Sequence, residues 1–122
     1  MKLHATLPGG VNAITGYGEG YVMVNGERRS SSLVVMADRI EQWRPGSFDT
    51  IEPEDFQFLK ELGAEIVLLG TGARQRFPHP RYTAELAKAG IGLEVMDLQA
   101  ACRTYNILVA EQRKVAAALL FT

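Results

Sequence analysis

The loop at residues 70–76, with the sequence Gly-Thr-Gly-Ala-Arg-Gln-Arg, carries residue types that can bind an anion. Glycines after an apolar strand leave backbone N–H groups open to a ligand, and two arginines add guanidinium groups. Open α/β sheets usually bind their ligands at this end of a strand. The loop therefore predicts a site for a carboxylate or a phosphate. Its candidate ligand groups belong to Gly70, Thr71, Gly72, Arg74 and Arg76.

A nucleotide site is not predicted at this loop. Gln75 stands where a G-x-G-x-x-G fingerprint has its last glycine, and the chain has no Gly-Lys-Ser/Thr run. A tight turn with two solvated arginines accounts for the same residues, because glycine is the default residue of such turns. A ligand pocket would need further side chains from later in the sequence. The candidates are Glu94, Arg103, Thr104, Asn106 and Arg113.

Glu94 lies in a short apolar segment between Leu93 and Val95. Strand alternation places its side chain on the opposite face from theirs, where it either faces water or pairs with a basic group. Arg103 and Arg113 are the candidate partners. Such a pair is either a structural ion pair or part of a site, since coupled charges also occur in active sites.

The sequence predicts no catalytic residue, no metal site and no cofactor. Cys102 falls within the apolar stripe of a helix, and burial raises the pKa of a thiol and makes it inert, so we expect a small core residue. His4 lies near the chain start and His79 between two prolines, and neither has partners at metal-ligand spacing. No Ser/His/Asp arrangement can be nominated.

The first part of the chain predicts β structure. Residues 1–12 are expected to form a loose surface arm. The Asn25-Gly26 pair between apolar alternations is a strong hairpin signal, and we expect the partner strand at residues 28–36. The glycines at residues 16–20 indicate a bulged or bent strand. Trp43, which ends a further extended segment, suits either a core position or an exposed interaction anchor.

From Pro53 onward the pattern alternates between helices and strands. Pro53 suits the first position of a helix that stops at Gly63. The apolar run at residues 66–69 is typical of a strand covered on both faces. A short helix at residues 81–89 follows, and then a strand, helix and strand unit at residues 90–122. This order predicts an α/β (α+β) fold with a parallel or mixed sheet.

The composition fits one domain over residues 1–122. The chain is 47% hydrophobic and 22% charged, which is ordinary for a globular protein. A net charge of -1 and an isoelectric point near 6.1 do not favour nucleic acid or an anionic membrane as a partner. One cysteine cannot form an internal disulfide, and no apolar run is long enough to span a bilayer. We therefore expect a cytoplasmic protein without an integral membrane segment.

One family pattern covers nearly the whole chain after residue 12. It comprises Ile14-Thr15-Gly16-Tyr17-Gly18, Trp43, Leu69-Gly70-Thr71-Gly72, Glu94-Val95-Met96, Ala100-Ala101-Cys102-Arg103-Thr104-Tyr105-Asn106-Ile107-Leu108, Glu111, Arg113 and Val115-Ala116-Ala117-Ala118-Leu119-Leu120. These stretches resemble a family of small single-domain proteins of unknown function that includes the mitochondrial respiratory complex I assembly factor and an adipogenesis-associated protein. Two positions depart from its pattern: Leu98 replaces a small hydroxyl residue, and Gln112 replaces a glycine.

The resemblance implies a three-layer β/β/α fold with a mixed sheet, in which an N-terminal antiparallel hairpin precedes an αβαβαβ half. It also implies a non-enzymatic role, because the characterised relative helps to assemble a membrane-bound respiratory complex. We therefore expect an interaction or assembly module with an unidentified protein partner. The alternative is a small-molecule anion-binding protein or enzyme that uses the loop at residues 70–76.

Overall fold

The computed structural model describes residues 9–121. The strands within that range are β1 (Ile14–Gly18), β2 (Tyr21–Val24), β3 (Glu27–Arg29), β4 (Leu33–Met36), β5 (Arg39–Gln42), β6 (Ile66–Thr71), β7 (Gly92–Met96) and β8 (Val115–Leu120). The helices are α1 (Pro53–Lys60), α2 (Pro80–Lys88) and α3 (Leu98–Ala110), and Phe48–Thr50 forms a 3-10 turn. The expectations for His4 and for most of the N-terminal arm lie outside the described residues.

The strands form two sheets. β1, β2 and β3 make an antiparallel sheet in that order, and the larger sheet has the order β5-β4-β8-β6-β7. In the larger sheet β8 lies parallel to β6 and antiparallel to β4, and β6 lies parallel to β7. The expected mixed sheet, with an antiparallel hairpin ahead of an αβαβαβ half, is confirmed.

The two faces of the larger sheet carry separate cores. On one face Phe56 of α1 and Leu86 of α2 pack against side chains of β4, β6 and β8. On the other face α3 and the three-stranded sheet pack against the larger sheet. Cys102 and Tyr105 of α3 are buried in the core that these elements share. The fold is therefore three-layered, as the resemblance implied. Because β8 contributes to both cores, all of its residues are buried.

The expected single strand at residues 28–36 is wrong. β3 ends at Arg29 and β4 begins at Leu33, and the two strands belong to different sheets. Ser30 and Ser31 of the connection between them are exposed, whereas Ser32 and all of β4 are buried. β3 pairs with β2 whereas β4 pairs with β5 and β8, so the chain passes from one sheet to the other between residues 29 and 33.

The expected Asn25-Gly26 hairpin is confirmed, because these residues have φ values of 52° and 82°. The interpretation of residues 16–20 is half right: the β1–β2 register shifts between Ile14 and Gly16, as at a bulge, but residues 19–20 form a turn. Gly20 supplies the positive φ of 75° that this reversal requires.

Trp43 occupies a core position. Its side chain is only 2% exposed and meets the ring of Phe56 edge to face at 6.3 Å. Its indole N–H donates a hydrogen bond to the Asp55 carbonyl at 3.3 Å. The alternative of an exposed interaction anchor is therefore wrong for this residue, since its ring is enclosed by the helix that follows the strand.

Asn12, at the end of the expected loose arm, is tied to the larger sheet. Its backbone N–H donates to the Ala37 carbonyl at 3.0 Å, and its amide donates to the Met36 carbonyl at 2.9 Å. The Tyr105 hydroxyl in turn donates to the Asn12 carbonyl at 2.8 Å. These bonds correct the boundary of the arm, because residue 12 is part of the packed structure.

Candidate functional site

Thr71 organises the loop that follows β6. Its buried hydroxyl lies 2.7 Å from the Arg74 carbonyl and 3.2 Å from the Met96 carbonyl, and it accepts a hydrogen bond from the Arg76 N–H at 3.0 Å. Gly72 has a φ of 89°, and its carbonyl accepts a hydrogen bond from the Leu98 N–H at 2.8 Å. The loop is therefore held by its own polar groups, and part of the donor set expected for an anion is already used internally.

Gly70 brings the loop close to α3. A methyl group at this position would lie 3.0 Å from both the Ala101 Cβ and the Leu119 Cδ2. Gln75 fixes the other side of the loop, because its amide donates to the Val95 carbonyl of β7 at 2.8 Å. The loop is thus attached to a helix and to an edge strand at once.

The two arginines of the loop have different surroundings. The guanidinium group of Arg76 binds the Asp49 carboxylate at 2.8 Å and lies 4.2 Å from the centre of the Phe48 ring. Arg74 is exposed, and no ion pair of the described residues includes it. Arg76 therefore positions the loop against the 3-10 turn, whereas the charge of Arg74 faces solvent.

An exposed aromatic residue follows these arginines. Phe77 is 70% exposed, and the helix α2 begins three residues later. At the start of that helix the Arg81 guanidinium lies 4.9 Å from the centre of the Tyr82 ring and donates to the Tyr82 hydroxyl at 2.9 Å. The His79 Nδ1 accepts a hydrogen bond from the Arg81 N–H at 3.1 Å.

Five of these groups lie within residues 74–82 and the sixth, Phe48, contacts Arg76; we call this part of the molecule the Phe77 surface. It comprises Phe48, Arg74, Arg76, Phe77, Arg81 and Tyr82. No motif in the sequence indicates this surface, and the one signal for it is an aromatic residue in a loop that otherwise consists of polar, alanine, glycine and proline residues. Such a residue has no helical or strand periodicity, so its exposure could not be read from a pattern.

A cleft of about 650 Å³ lies on the other side of the loop, between it and the β1–β2 turn. Its walls include Tyr17, Gly18, Leu98 and Phe121, and Gly72 is the only one of the ten candidate site residues that lines it. A second cleft, of about 550 Å³, lies at the C-terminal end of α3 and includes Arg113. The candidate residues are therefore divided between different parts of the molecule.

Glu94 is exposed on β7 and has no ion pair among the described residues. Arg103 instead donates to the Tyr17 hydroxyl at 3.2 Å, and Arg113 binds the Glu65 carboxylate at 3.0 Å. The bond from Arg113 lowers the pKa of Glu65. Of the two alternatives for Glu94, the structure shows the one in which it faces water, because Arg103 and Arg113 bind groups of other elements.

The remaining two candidates lie on α3. Asn106 is buried, and its amide binds both backbone groups of Ile14. Thr104 is half-buried and makes no hydrogen bond through its hydroxyl within residues 9–121. The structure thus brings together Gly70, Thr71, Gly72, Arg74 and Arg76, and leaves the other five candidates apart from them.

Cys102 is fully buried in the core beneath α3. Desolvation raises the pKa of its thiol to about 12. A thiol with this pKa is almost entirely protonated near neutral pH and is a poor nucleophile. The prediction that it is a small core residue is confirmed. No cluster of three or more His, Cys, Asp or Glu side chains within residues 9–121 is arranged to hold a metal ion.

None of the described helices has the length and apolar character needed to cross a membrane.

Comparison with known proteins finds relatives that match most of this chain. The chain is 39% identical over 99 residues to the NADH dehydrogenase [ubiquinone] 1 alpha subcomplex assembly factor 3 of Danio rerio, a match that covers 80% of this chain and 57% of that protein. The chain spans less than three-fifths of the length of the assembly factors that it matches.

Solved structures show the same fold. A crystal structure of a Bordetella parapertussis protein superposes with a TM-score of 0.87 at 38% identity, covering 98% of this chain and 100% of that one. A solution structure of a Bordetella pertussis protein, described as a Mth938-like domain, gives a TM-score of 0.82 at 33% identity over 98% of this chain and 92% of that one. The family profile described as protein of unknown function, DUF498/DUF598, matches residues 14–120. The chain therefore belongs to the DUF498/DUF598 family.

Proposed function

We propose that this chain is a non-enzymatic protein-interaction module that acts in the assembly of a larger protein complex. The observation that carries the proposal is Phe77, whose side chain is 70% exposed within a surface of aromatic and arginine groups. Aromatic residues and arginine are enriched at protein interfaces and dominate their binding energy. An exposed aromatic ring in this setting is therefore suited to burial by a partner.

The loop that carries Phe77 is already ordered by internal bonds. Thr71 closes it from within, and Arg76 ties it to Asp49. A surface that is rigid before binding loses less conformational entropy when a partner docks. The internal use of these groups also weakens the alternative of an anion site at residues 70–76, since Arg76 already has a carboxylate partner.

The names of the relatives agree with this role. The matched protein of Danio rerio is described as an assembly factor for a respiratory enzyme complex. Since this chain spans 57% of that protein, we transfer the general role in assembly and not its particular partner. The cytoplasmic location expected from the sequence is part of the same proposal.

The test is affinity capture from a native lysate with the immobilised chain. We expect the wild type to retain a protein partner in stoichiometric amount, and Phe77→Gln to lose it. Ile107→Gln is the matched control, because Ile107 is also a large exposed apolar residue, at 58%, but lies on α3. A wild-type chain that captures no stoichiometric partner would overturn the proposed function. If Phe77→Gln and Ile107→Gln lost the captured partner equally, the Phe77 surface would not be its binding site.

A further inference from the structure

We infer that the Phe77 surface recognises an acidic protein segment that also carries an apolar side chain, an inference that rests on the proposed function. The surface holds three arginines, Arg74, Arg76 and Arg81, whereas the whole chain has a net charge of -1. One of these arginines, Arg76, forms an ion pair with the Asp49 carboxylate. The surface is thus locally cationic on a slightly acidic protein.

Two of these arginines are available to a partner. Neither Arg74 nor Arg81 forms an ion pair with any described residue. The guanidinium of Arg81 packs against the Tyr82 ring and uses one of its five N–H donors to bind the Tyr82 hydroxyl oxygen. Its remaining donors form a fixed, planar fork, and this geometry matches a carboxylate.

The apolar part of the segment follows from the position of Phe77. The ring lies in sequence between the two unpaired arginines, three residues after Arg74 and four before Arg81. The neighbouring Phe48 ring is already covered by the Arg76 guanidinium. The exposed Phe77 ring is therefore the main apolar group that the surface offers, and a partner gains most by packing an aliphatic or aromatic side chain on it while its carboxylates reach the arginines.

An anionic membrane shares the same negative charge but fits the surface less well. Stable attachment to a bilayer takes a polybasic cluster or an extended apolar face. One exposed aromatic ring and two unpaired guanidinium groups provide neither. The observations therefore favour a protein segment, and membrane binding becomes one arm of the test.

The probe is a synthetic peptide that alternates Glu with Phe and Leu, added to the full isotopically labelled chain and followed by NMR. We expect shift changes confined to residues 74–82 and to the neighbourhood of Phe48. The same peptide with Gln in place of Glu should bind about tenfold more weakly, and added salt should weaken the acidic peptide. Arg81→Gln should reduce its affinity about fivefold, whereas Lys88→Gln, which removes a cation from the other end of α2, should leave it unchanged.

Three results would overturn the inference. They are equal binding of the acidic and neutral peptides, shift changes located elsewhere on the chain, and binding to phosphatidylglycerol vesicles without binding to the peptide. Capture of a Phe77-dependent partner together with failure of the acidic peptide would reject this inference alone. A lysate experiment without any captured partner would reject the proposed function, whatever the peptide does.

Discussion

Asn106 of α3 completes the open edge of β1 by binding both backbone groups of Ile14. Its amide oxygen accepts a hydrogen bond from the Ile14 N–H at 3.1 Å, and its amide nitrogen donates to the Ile14 carbonyl at 2.8 Å. Among the described strands β1 lies at the edge of the smaller sheet, so no described strand binds these groups on that side. The side chain thus takes the place of a neighbouring strand and joins α3 to the smaller sheet.

Asn106→Ala should lower the free energy of unfolding by about 2–5 kcal/mol, because it leaves a buried N–H and a buried carbonyl of Ile14 without partners. Urea denaturation measures the change. Thr104→Ala is the control on the same helix, and we expect an effect within about 0.5 kcal/mol, since Thr104 makes no side-chain hydrogen bond within residues 9–121. Similar effects of the two substitutions would contradict the role assigned to Asn106.

Gly70→Ala should destabilise the protein by about 1–3 kcal/mol, because the added methyl group would lie 3.0 Å from Ala101 and Leu119 in a packed core. Gly92→Ala is the matched change in another strand, where the methyl group would meet only the Glu65 carbonyl, at 3.8 Å. We expect that variant to be neutral or slightly stabilised. Thermal unfolding separates the two cases, and an equal melting temperature would refute the close approach at Gly70.

Thr71→Val should loosen the loop that presents Phe77. The change keeps the side-chain volume but removes the hydroxyl that accepts from the Arg76 N–H, and we expect a loss of about 1–2 kcal/mol. Amide hydrogen exchange at Arg76 should become faster, and capture of the partner should weaken. Thr71→Ser retains the hydroxyl and should behave like the wild type in both measurements. Unchanged exchange in Thr71→Val would show that the hydroxyl does not hold the loop.

Gln112→Gly should stabilise the protein by up to about 1 kcal/mol, because Gln112 has a φ of 63° in the left-handed region that favours glycine. Gln112 directly follows the C-cap residue of α3, and its N–H donates to the Val109 carbonyl while the Arg113 N–H donates to the Leu108 carbonyl. Calorimetry measures the shift in melting temperature. Glu111→Gly, one residue earlier at a φ of -86°, should destabilise instead. A lower melting temperature for Gln112→Gly would argue against backbone strain at this residue.

Cys102 should resist alkylation in the folded protein. With its pKa raised to about 12 from an ordinary value of 9.0, the thiolate fraction at pH 8 falls roughly thousandfold, and burial blocks access as well. Iodoacetamide labelling followed by mass spectrometry should show no adduct in buffer and complete labelling in urea. Because the native pKa is raised, this group contributes stability that is present below pH 9 and is lost as the pH rises toward 12. Rapid labelling of the folded chain at pH 8 would contradict the buried position.

Helix ends and turns could be predicted, because they are set by residues that are close together in sequence. Pro53 begins α1, and Gly63 takes the positive φ expected after a helix. These features depend on the backbone geometry of a few consecutive residues, so the local sequence is enough to predict them. The single strand predicted at residues 28–36 is wrong because the passage from one sheet to the other depends on which elements pack on each part, and no local pattern contains that information.

The candidate site shows the same division. Its loop of glycines and arginines was visible in the sequence, and so was the apolar stripe that encloses Cys102. Three pairings required the folded chain, because their members lie 27, 48 and 92 residues apart: Arg76 with Asp49, Arg113 with Glu65, and Asn106 with Ile14.

The sequence by itself determined the helices, the turns and the apolar faces, since these arise from backbone preferences and the periodicity of neighbouring residues. Only the tertiary structure decided which charges meet and which aromatic ring stays in solvent. Ion pairing and burial depend on distances between elements, and the order of residues along a chain does not contain those distances until the sheets and helices have packed.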